Sequence, residues 1–270
     1  DYVFSRVDSA GIQSRYFLNN IYLEHLYSGY NRIDGDFLDA ASDDAISIDN
    51  NSPEIYKLFM GRYSAVSRLR DMEWGAYYQG IRKANILINN IDVVPFNLTY
   101  VNALGETKPL NYTMKAEARF LRAYFYFELV KRYGGVPLVG DNVYVLGDDV
   151  QLPRNTFAQC IDYIIGELDE IKDDLRSLPM SDATEFAHAP TKETCLAMKA
   201  RVLLYAASPL FNEKPLEAGN ELIGYASYDS QRWNLAAQAA KDLIDQYGPK
   251  GKGTLNLAQD YRNIFINFYG

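Results

Sequence analysis

Residues 34–71 form a long connection in which aromatic and polar side chains are mixed, and this connection leads to Trp74. Aromatic faces stack on the apolar face of a sugar ring, while carboxylate, amide and guanidinium groups pair with its hydroxyls. Long loops are also frequent sites of function. The segment therefore contains the residue types from which a saccharide site can be built. Its candidate ligand-binding residues are Asp43, Asp44, Tyr56, Tyr63 and Trp74.

The same residues have a structural interpretation. An Asp-rich stretch is also typical of a solvated linker. Trp74 stands at an apolar position at the start of a predicted helix, so packing is the alternative to ligand stacking. A second candidate segment, residues 213–230, places Tyr225 and Tyr228 in a loop that contains glycine.

The sequence carries no catalytic motif of the common kinds. GxSxG, GxxxxGK[ST], HExxH and the dinucleotide-binding fingerprint are absent. Asp34, Asp36 and Asp39 lack the glycine and terminal glutamate of an EF-hand loop, and two histidines and two cysteines form no metal-ligand pattern. We therefore expect no catalytic residue, no metal and no cofactor. A catalytic pair of carboxylates is left as an open alternative. The adjacency of Asp43 and Asp44 in the sequence does not establish the distance between carboxyl groups that a glycosidase needs.

The composition is that of an ordinary globular chain. Of the 270 residues, 48% are hydrophobic and 23% are charged, which fits neither disorder nor a coiled coil. The formal net charge of −8 disfavours a nucleic-acid partner, which needs a clustered basic surface. No stretch approaches the roughly 20 apolar residues that cross a bilayer.

Helical periodicity dominates the chain. Asp71 is placed to cap one helix, Thr156 and Gln159 predict a capping box, and Gly248 before Pro249 predicts a left-handed helix end. The acidic face of the helix after Thr156 is expected to be solvated. The predicted helices are 14–33, 53–64, 71–90, 112–133, 156–178, 191–208 and 230–247.

The helices are predicted to form an all-α fold of tetratricopeptide-like hairpins in a single domain, residues 1–270. The helical pairs lie near 71–133, 156–208 and 230–268, and a faint repeat relates residues 118–124 to 200–206. The connections between the helices are long and irregular, so the period is not strict. Strand signals are limited to 136–139 and 143–146, which suit extended segments or a minor β-hairpin.

Several motifs in order resemble the RagB/SusD family. The first is an aromatic helix, Trp74–Ile88, and the run Lys131–Val139 (KRYGGVPLV) is the most specific. The match covers roughly Tyr16 to the end. The other motifs are Glu117–Tyr126, Leu152–Arg154, Thr191–Arg201 and Trp233–Ala240.

The resemblance implies a function and a location. Members are surface lipoproteins that capture glycans, or sometimes peptides, and deliver them to a SusC-type TonB-dependent transporter in the outer membrane. They are non-catalytic, and they attach to the membrane by a lipid anchor that is not part of this sequence. They are about twice as long, so this chain resembles their amino-terminal half, and the remainder of its own chain is an expected partner. A helical-repeat adaptor, a peptide-binding importer component and a helical-barrel glycoside hydrolase are the alternatives.

Most motif residues are expected to be structural. Gly134 should take a positive φ where a helix ends, Gly135 should allow a sharp turn, and Pro137 should keep the next residues extended. Arg119 and Arg201, in buried helices, should meet helix-end carbonyls or acidic partners, because an unpaired buried charge is costly. The complete set is Arg119, Tyr133, Gly134, Gly135, Pro137, Arg201 and Trp233.

Three further residues are predicted to lie in the core. Cys160 and Cys195 suit small buried positions, and Trp233 shares the apolar phase of its helix. The last helical pair is expected to expose an apolar face that other parts of a longer chain would cover.

Overall fold

The computed structural model describes residues 2–26, 37–47, 53–64, 66–67, 74–180, 189–257 and 262. Regular structure within these ranges is helical apart from one two-stranded hairpin, so the predicted all-α class is confirmed. The helices are α1 (Ile12–His25), α2 (Pro53–Phe59), α3 (Trp74–Asn90), α4 (Leu110–Tyr133), α5 (Phe157–Ile171), α6 (Lys192–Ala207), α7 (Pro209–Asn212) and α8 (Gln231–Tyr247).

The longer helices stack largely in chain order. α1 packs on α3, α3 on α4, α4 on α5, α5 on α6, and α6 on α8. The main hydrophobic core joins α1, α3, α4, α5 and α6, and α4 contributes Phe125, Tyr126 and Leu129, which are fully buried. A helix that is apolar on several sides must be covered on several sides. The stack of helical hairpins supplies that cover.

Two helix starts are capped by threonine side chains, and one of the two caps was predicted from the sequence. Thr156 Oγ1 accepts the Gln159 backbone N–H at 3.2 Å, and Gln159 Oε1 accepts the Thr156 N–H at 2.9 Å, so the capping box is confirmed. At α6, Thr191 Oγ1 accepts the Thr194 N–H at 3.3 Å. These caps satisfy backbone donors that have no partner inside the helix.

The end of α8 differs from its prediction. Gly248 is extended, with φ −70° and ψ −175°, rather than left-handed. The following loop closes the helix instead, because Lys252 N–H donates to the carbonyl of Gln246 and Leu255 N–H to that of Tyr247. Helix-end carbonyls therefore gain partners without a left-handed glycine at position 248.

The β-hairpin lies where the sequence analysis did not place it. β1 (Thr99–Val101) and β2 (Thr107–Pro109) pair antiparallel, with Tyr100 opposite Lys108. Residues 136–139 and 143–146 belong to no strand, and residue 146 lies in a turn. Side chains of α3, rather than a second strand, bind that segment, as described below.

Two exposed positions correct the core predictions. Trp233 on α8 is 39% exposed, and Ile244, three turns along the same side, is 62% exposed. Within the described residues no element covers this apolar stripe, so the core assignment of Trp233 is wrong there. Arg201 is also exposed, together with Leu204 on the same side of α6. The prediction that Arg201 lies buried is wrong because this side of α6 faces outward.

Other predictions hold or lie outside the described ranges. Cys160 and Cys195 are buried, as expected. The Asp71 cap, residues 27–33 of the first predicted helix and most of 261–268 lie outside the described residues. The second predicted helix is shorter and ends at Phe59 instead of residue 64, and α5 ends at Ile171 instead of 178. Among the residues with a described placement, no helix is long and apolar enough to cross a membrane.

Candidate functional site

A cavity of about 300 Å³ opens where the start of α3 faces residues 137–152. Its volume is at the lower end of the roughly 300–1,000 Å³ range of ligand pockets. We call it the Trp74 cavity. It is lined by Trp74, Tyr78, Ile81, Arg82, Pro137, Val139, Asn142, Tyr144, Val150 and Leu152.

The aromatic wall of this cavity is fixed by ring packing. The Trp74 ring lies edge-on to Tyr133, with centroids 5.0 Å apart, and tilted against Tyr78 at 5.0 Å. Tyr78 Oη donates to the carbonyl of Pro137 at 2.7 Å. Burial raises the pKa of Tyr78 well above its usual range, so its hydroxyl stays a donor. Trp74 therefore both packs against the protein and lines the cavity.

Polar side chains of α3 hold the opposite wall in place. Arg82, Asn85 and Asn89, spaced three and four residues apart on one side of the helix, donate to backbone carbonyls of residues 140–144 at distances of 2.9–3.3 Å. These bonds replace strand pairing as partners for the loop backbone. They give the backbone of this loop hydrogen-bond partners although it joins no sheet.

A buried charge network connects the same loop to α4 and α5. Arg122, only 2% exposed, donates to Glu167 at 2.7 Å, to Asn85 Oδ1 at 2.7 Å and to Asp141 at 2.5 Å. Arg119 also binds Glu167, through two nitrogens at 2.9 and 3.0 Å. The prediction of acidic partners for Arg119 is confirmed. Glu167 corrects the expectation of a fully solvated acidic face, because α4 covers this part of α5.

Electrostatics keep Glu167 ionised within this network. Burial by itself raises the pKa of Glu167, but hydrogen bonds from Arg119 and the charge of Arg122 outweigh it, so the pKa lies below its ordinary value. An ionised Glu167 can satisfy both arginines.

The turn between α4 and the cavity wall has the predicted backbone. Gly134 has φ +70°, which confirms the expected positive value. A Cβ on Gly134 would overlap the carbonyl oxygen of Leu222, and one on Gly135 would overlap that of Asn155. Arg154 Nε donates to the Gly135 carbonyl at 2.7 Å. Glycine at these two positions lets α4 end in close contact with other backbone segments.

The structure places the other candidate residues apart from the Trp74 cavity lining. Asp43 and Asp44 are exposed in a turn, and Tyr56 and Tyr63 are 42% and 47% exposed. Tyr56 lines a separate apolar hollow of about 170 Å³ beside Ile55. This part of the chain has its own small core of Ala40, Ile55 and Leu58. Of the five candidates, Trp74 is the one that lines the cavity.

The second candidate segment is largely structural. The Tyr225 ring packs edge-on to Phe157 at 5.3 Å, and the Arg232 guanidinium lies 3.6 Å from its centroid. Tyr228 is 56% exposed. Tyr225 is therefore occupied by packing, which leaves Tyr228 as the accessible ring of this loop.

A polar hollow of about 340 Å³ lies beside α4 and the end of α5. Its charged groups are engaged with each other: Lys115 pairs with Asp92 at 2.6 Å, and Arg119 pairs with Glu167 and Glu170. Its aromatic ring, Tyr112, receives the Lys108 ammonium at 5.6 Å. In the described ranges no group of three metal-ligating side chains occurs. The Trp74 cavity thus has the better-placed aromatic faces.

Sequence reasoning missed Tyr78, Arg82, Asn142 and Tyr144 as site residues. Tyr78 and Arg82 follow Trp74 by one and two helical turns, a spacing that could have indicated them. Asn142 and Tyr144 carried no comparable signal, because their position depends on loop contacts with α3.

Comparison with known proteins gives a consistent result. A family profile described as SusD-like, "Starch-binding associating with outer membrane", matches residues 13–204. The SusD-like protein P38 of Formosa agariphila is 27% identical over 164 residues, which are 61% of this chain and 29% of that protein.

Solved structures share the fold. A laminarin-binding SusD-like protein is 18% identical with a TM-score of 0.68, over 97% of this chain and 50% of its own. A SusD-like protein from Bacteroides fragilis is 24% identical with a TM-score of 0.62, over 87% of this chain and 38% of its own. The chain therefore spans half or less of the length of these relatives.

Proposed function

Because the chain belongs to the RagB/SusD family of SusD-like proteins, we propose that it binds glycans without cleaving them. The observation that carries the proposal is the Trp74 cavity, in which a tryptophan and two tyrosines meet an amide and a guanidinium group. Aromatic faces and planar polar groups are the two kinds of contact that a pyranose ring needs. Ring stacking on Trp74 would supply affinity, and Asn142 and Arg82 would supply hydrogen bonds.

The cavity is suited to binding because its walls are held before any ligand arrives. Trp74 is fixed by Tyr78 and Tyr133, and residues 140–144 are fixed by α3 and Arg122. A preformed site avoids part of the entropy cost of ordering side chains and loops on binding.

Trp74→Ala is expected to weaken glycan binding by the full-length protein about tenfold to a hundredfold, because the stacking face is removed; this corresponds to about 1.4–2.8 kcal/mol. The measurement is isothermal calorimetry against a panel of plant, host and microbial polysaccharides. Trp233→Ala is the matched control, since it removes the other tryptophan, which lies on α8 and does not line the cavity.

The same titrations separate the alternatives. Unchanged affinity in Trp74→Ala together with a loss in Tyr56→Ala or Tyr63→Ala would move the site to residues 43–63. Release of reducing ends during incubation would support the glycoside hydrolase hypothesis. Binding heat from a matched peptide panel, without any response to saccharides, would support the adaptor or the peptide-importer hypothesis.

We also propose that the protein is lipid-anchored on the outer face of the outer membrane and delivers its glycan to a SusC-type TonB-dependent transporter. The family description, which includes association with the outer membrane, supports this location. Co-purification from detergent-solubilised outer membranes is the test, and the transporter is expected in the eluate. If the transporter is absent from the eluate while the protein still binds glycan, the delivery proposal is contradicted and the glycan-binding proposal stands.

The exposed stripe of α8 supports the expected contact with other parts of a longer chain. Trp233 and Ile244 present apolar surface on one side of this helix, and stacked helical hairpins normally cover such a face with the next unit.

A further inference from the structure

Arg82 differs from the other residues of the Trp74 cavity in its charge. Among the described residues that line the cavity, it is the only one with a formal charge. Its Nε donates to the carbonyl of Tyr144 at 3.3 Å, and the two Nη groups have no hydrogen-bond partner among the residues that the structure describes. In the described part of the chain, no carboxylate forms an ion pair with Arg82.

The three acidic residues of the described loop 140–152 have other partners. Asp141 pairs with Arg122 at 2.5 Å, Asp148 accepts the Val145 N–H at 2.8 Å, and Asp149 accepts from Gln151 at 3.1 Å. None of these three lines the cavity. The positive charge of Arg82 is therefore not neutralised by an acidic residue of this loop.

Four arginines that lie against the core are paired with carboxylates. Arg119 and Arg122 bind Glu167, Arg132 binds Glu128 at 2.6 Å, and Arg176 lies 3.4 Å from Glu117. Arg82 is exposed and, like Arg201 on α6, forms no ion pair with a described carboxylate, but Arg82 lines the cavity and Arg201 does not. Guanidinium presents a planar pair of donors that matches the oxygens of a carboxylate or a sulfate.

We propose that the Trp74 cavity selects saccharides that carry an acidic group, a uronate carboxylate or a sulfate ester, and that Arg82 binds this group. The inference rests on the proposed glycan-binding function and specifies its ligand. Trp74 and Arg82 lie eight residues, about two turns, apart on α3. One sugar ring stacks on Trp74 while the acidic substituent meets the free Nη donors of Arg82.

The test pairs each acidic ligand with a neutral counterpart. Oligosaccharides that contain uronic acids are titrated beside their carboxyl-reduced forms, and sulfated oligosaccharides beside their desulfated forms. The full-length protein is expected to bind an acidic form about tenfold or more tightly than its neutral counterpart. The carboxylate and sulfate arms show which acidic group is preferred.

Variants of Arg82 separate charge from loop position. Arg82→Gln is expected to cost the acidic form about tenfold more affinity than it costs the neutral form, which loses only an uncharged hydrogen bond, whereas Arg82→Lys keeps most of the preference. Arg201→Gln is the matched control, because Arg201 is exposed and outside the cavity. Its affinities should equal those of the wild type.

Two outcomes overturn the proposal. Equal affinity of wild type for acidic and neutral forms contradicts it while glycan binding itself stands. An equal loss for both forms in Arg82→Gln, with no recovery in Arg82→Lys, shows that Arg82 only supports the loop at Tyr144. Absence of any saccharide binding by wild type instead refutes the proposed function, and the inference with it.

Discussion

Arg122→Met is expected to lower the free energy of unfolding by about 3–5 kcal/mol, the usual range when one partner of a buried ion pair is removed. The substitution keeps the aliphatic stem but removes donors to Glu167, Asn85 and Asp141. Glu167 then remains buried with Arg119 as its main cation. Urea denaturation followed by circular dichroism measures the change.

We expect this loss of stability because Arg122 is buried, and not for every arginine. Arg201→Met removes the same group from an exposed position on α6 and should change stability by no more than about 0.5 kcal/mol. A loss below about 1 kcal/mol in Arg122→Met would contradict the importance of the network.

Acid titration gives a second readout of the same network. The folded-state pKa of Glu167 lies below its ordinary value of 4.5, so the folded state binds fewer protons than the unfolded state. Its contribution to stability is complete above pH 4.5 and disappears as pH falls through the folded-state pKa. Without Arg122 the folded-state pKa of Glu167 rises, so the variant should lose less stability over this acidic range than wild type does.

Gly134→Ala is expected to cost about 3 kcal/mol or more, through two additive effects. A φ of +70° costs an L-residue roughly 1–2 kcal/mol. The new Cβ would also overlap the carbonyl oxygen of Leu222, which accepts the Gly135 N–H at 2.6 Å, so the two backbones must separate. A shift of the thermal midpoint and of the urea midpoint measures the effect.

Gly105→Ala separates the two contributions. Gly105 has φ +81° in the hairpin turn, but nothing lies within 4 Å of its potential Cβ. This variant should lose only the conformational part, about 1 kcal/mol. Equal losses of stability in the two variants would show that the backbone at Leu222 moves away from the new Cβ at little energetic cost.

The amino-acid sequence alone determined the helical class and several local features. The spacing of Tyr77, Ile81 and Ile88 gives one buried face of α3, and Thr156 with Gln159 fixes the start of α5. Gly134 marks the end of α4. These features depend on contacts within a few residues, so a helical period and capping chemistry are enough to predict them.

The site could be predicted only in part, because its second wall comes from a distant segment. Trp74 and the polar positions of α3 are visible in the helical pattern, but the loop residues Asn142 and Tyr144 reach them through side-chain bonds to the backbone. Nothing in the local sequence of residues 140–144 indicates those bonds. The mixture of aromatic and polar side chains instead favoured Asp43, Asp44, Tyr56 and Tyr63, none of which lines the Trp74 cavity.

Burial was likewise decided by tertiary structure. Glu167 and Arg201 both sit on helices whose pattern suggested the opposite environment: the glutamate is covered by α4 and the arginine faces outward. Trp233 has the phase of a core residue yet is 39% exposed. A sequence period specifies which residues share a helix face, but which neighbour covers that face depends on the packing of the whole stack.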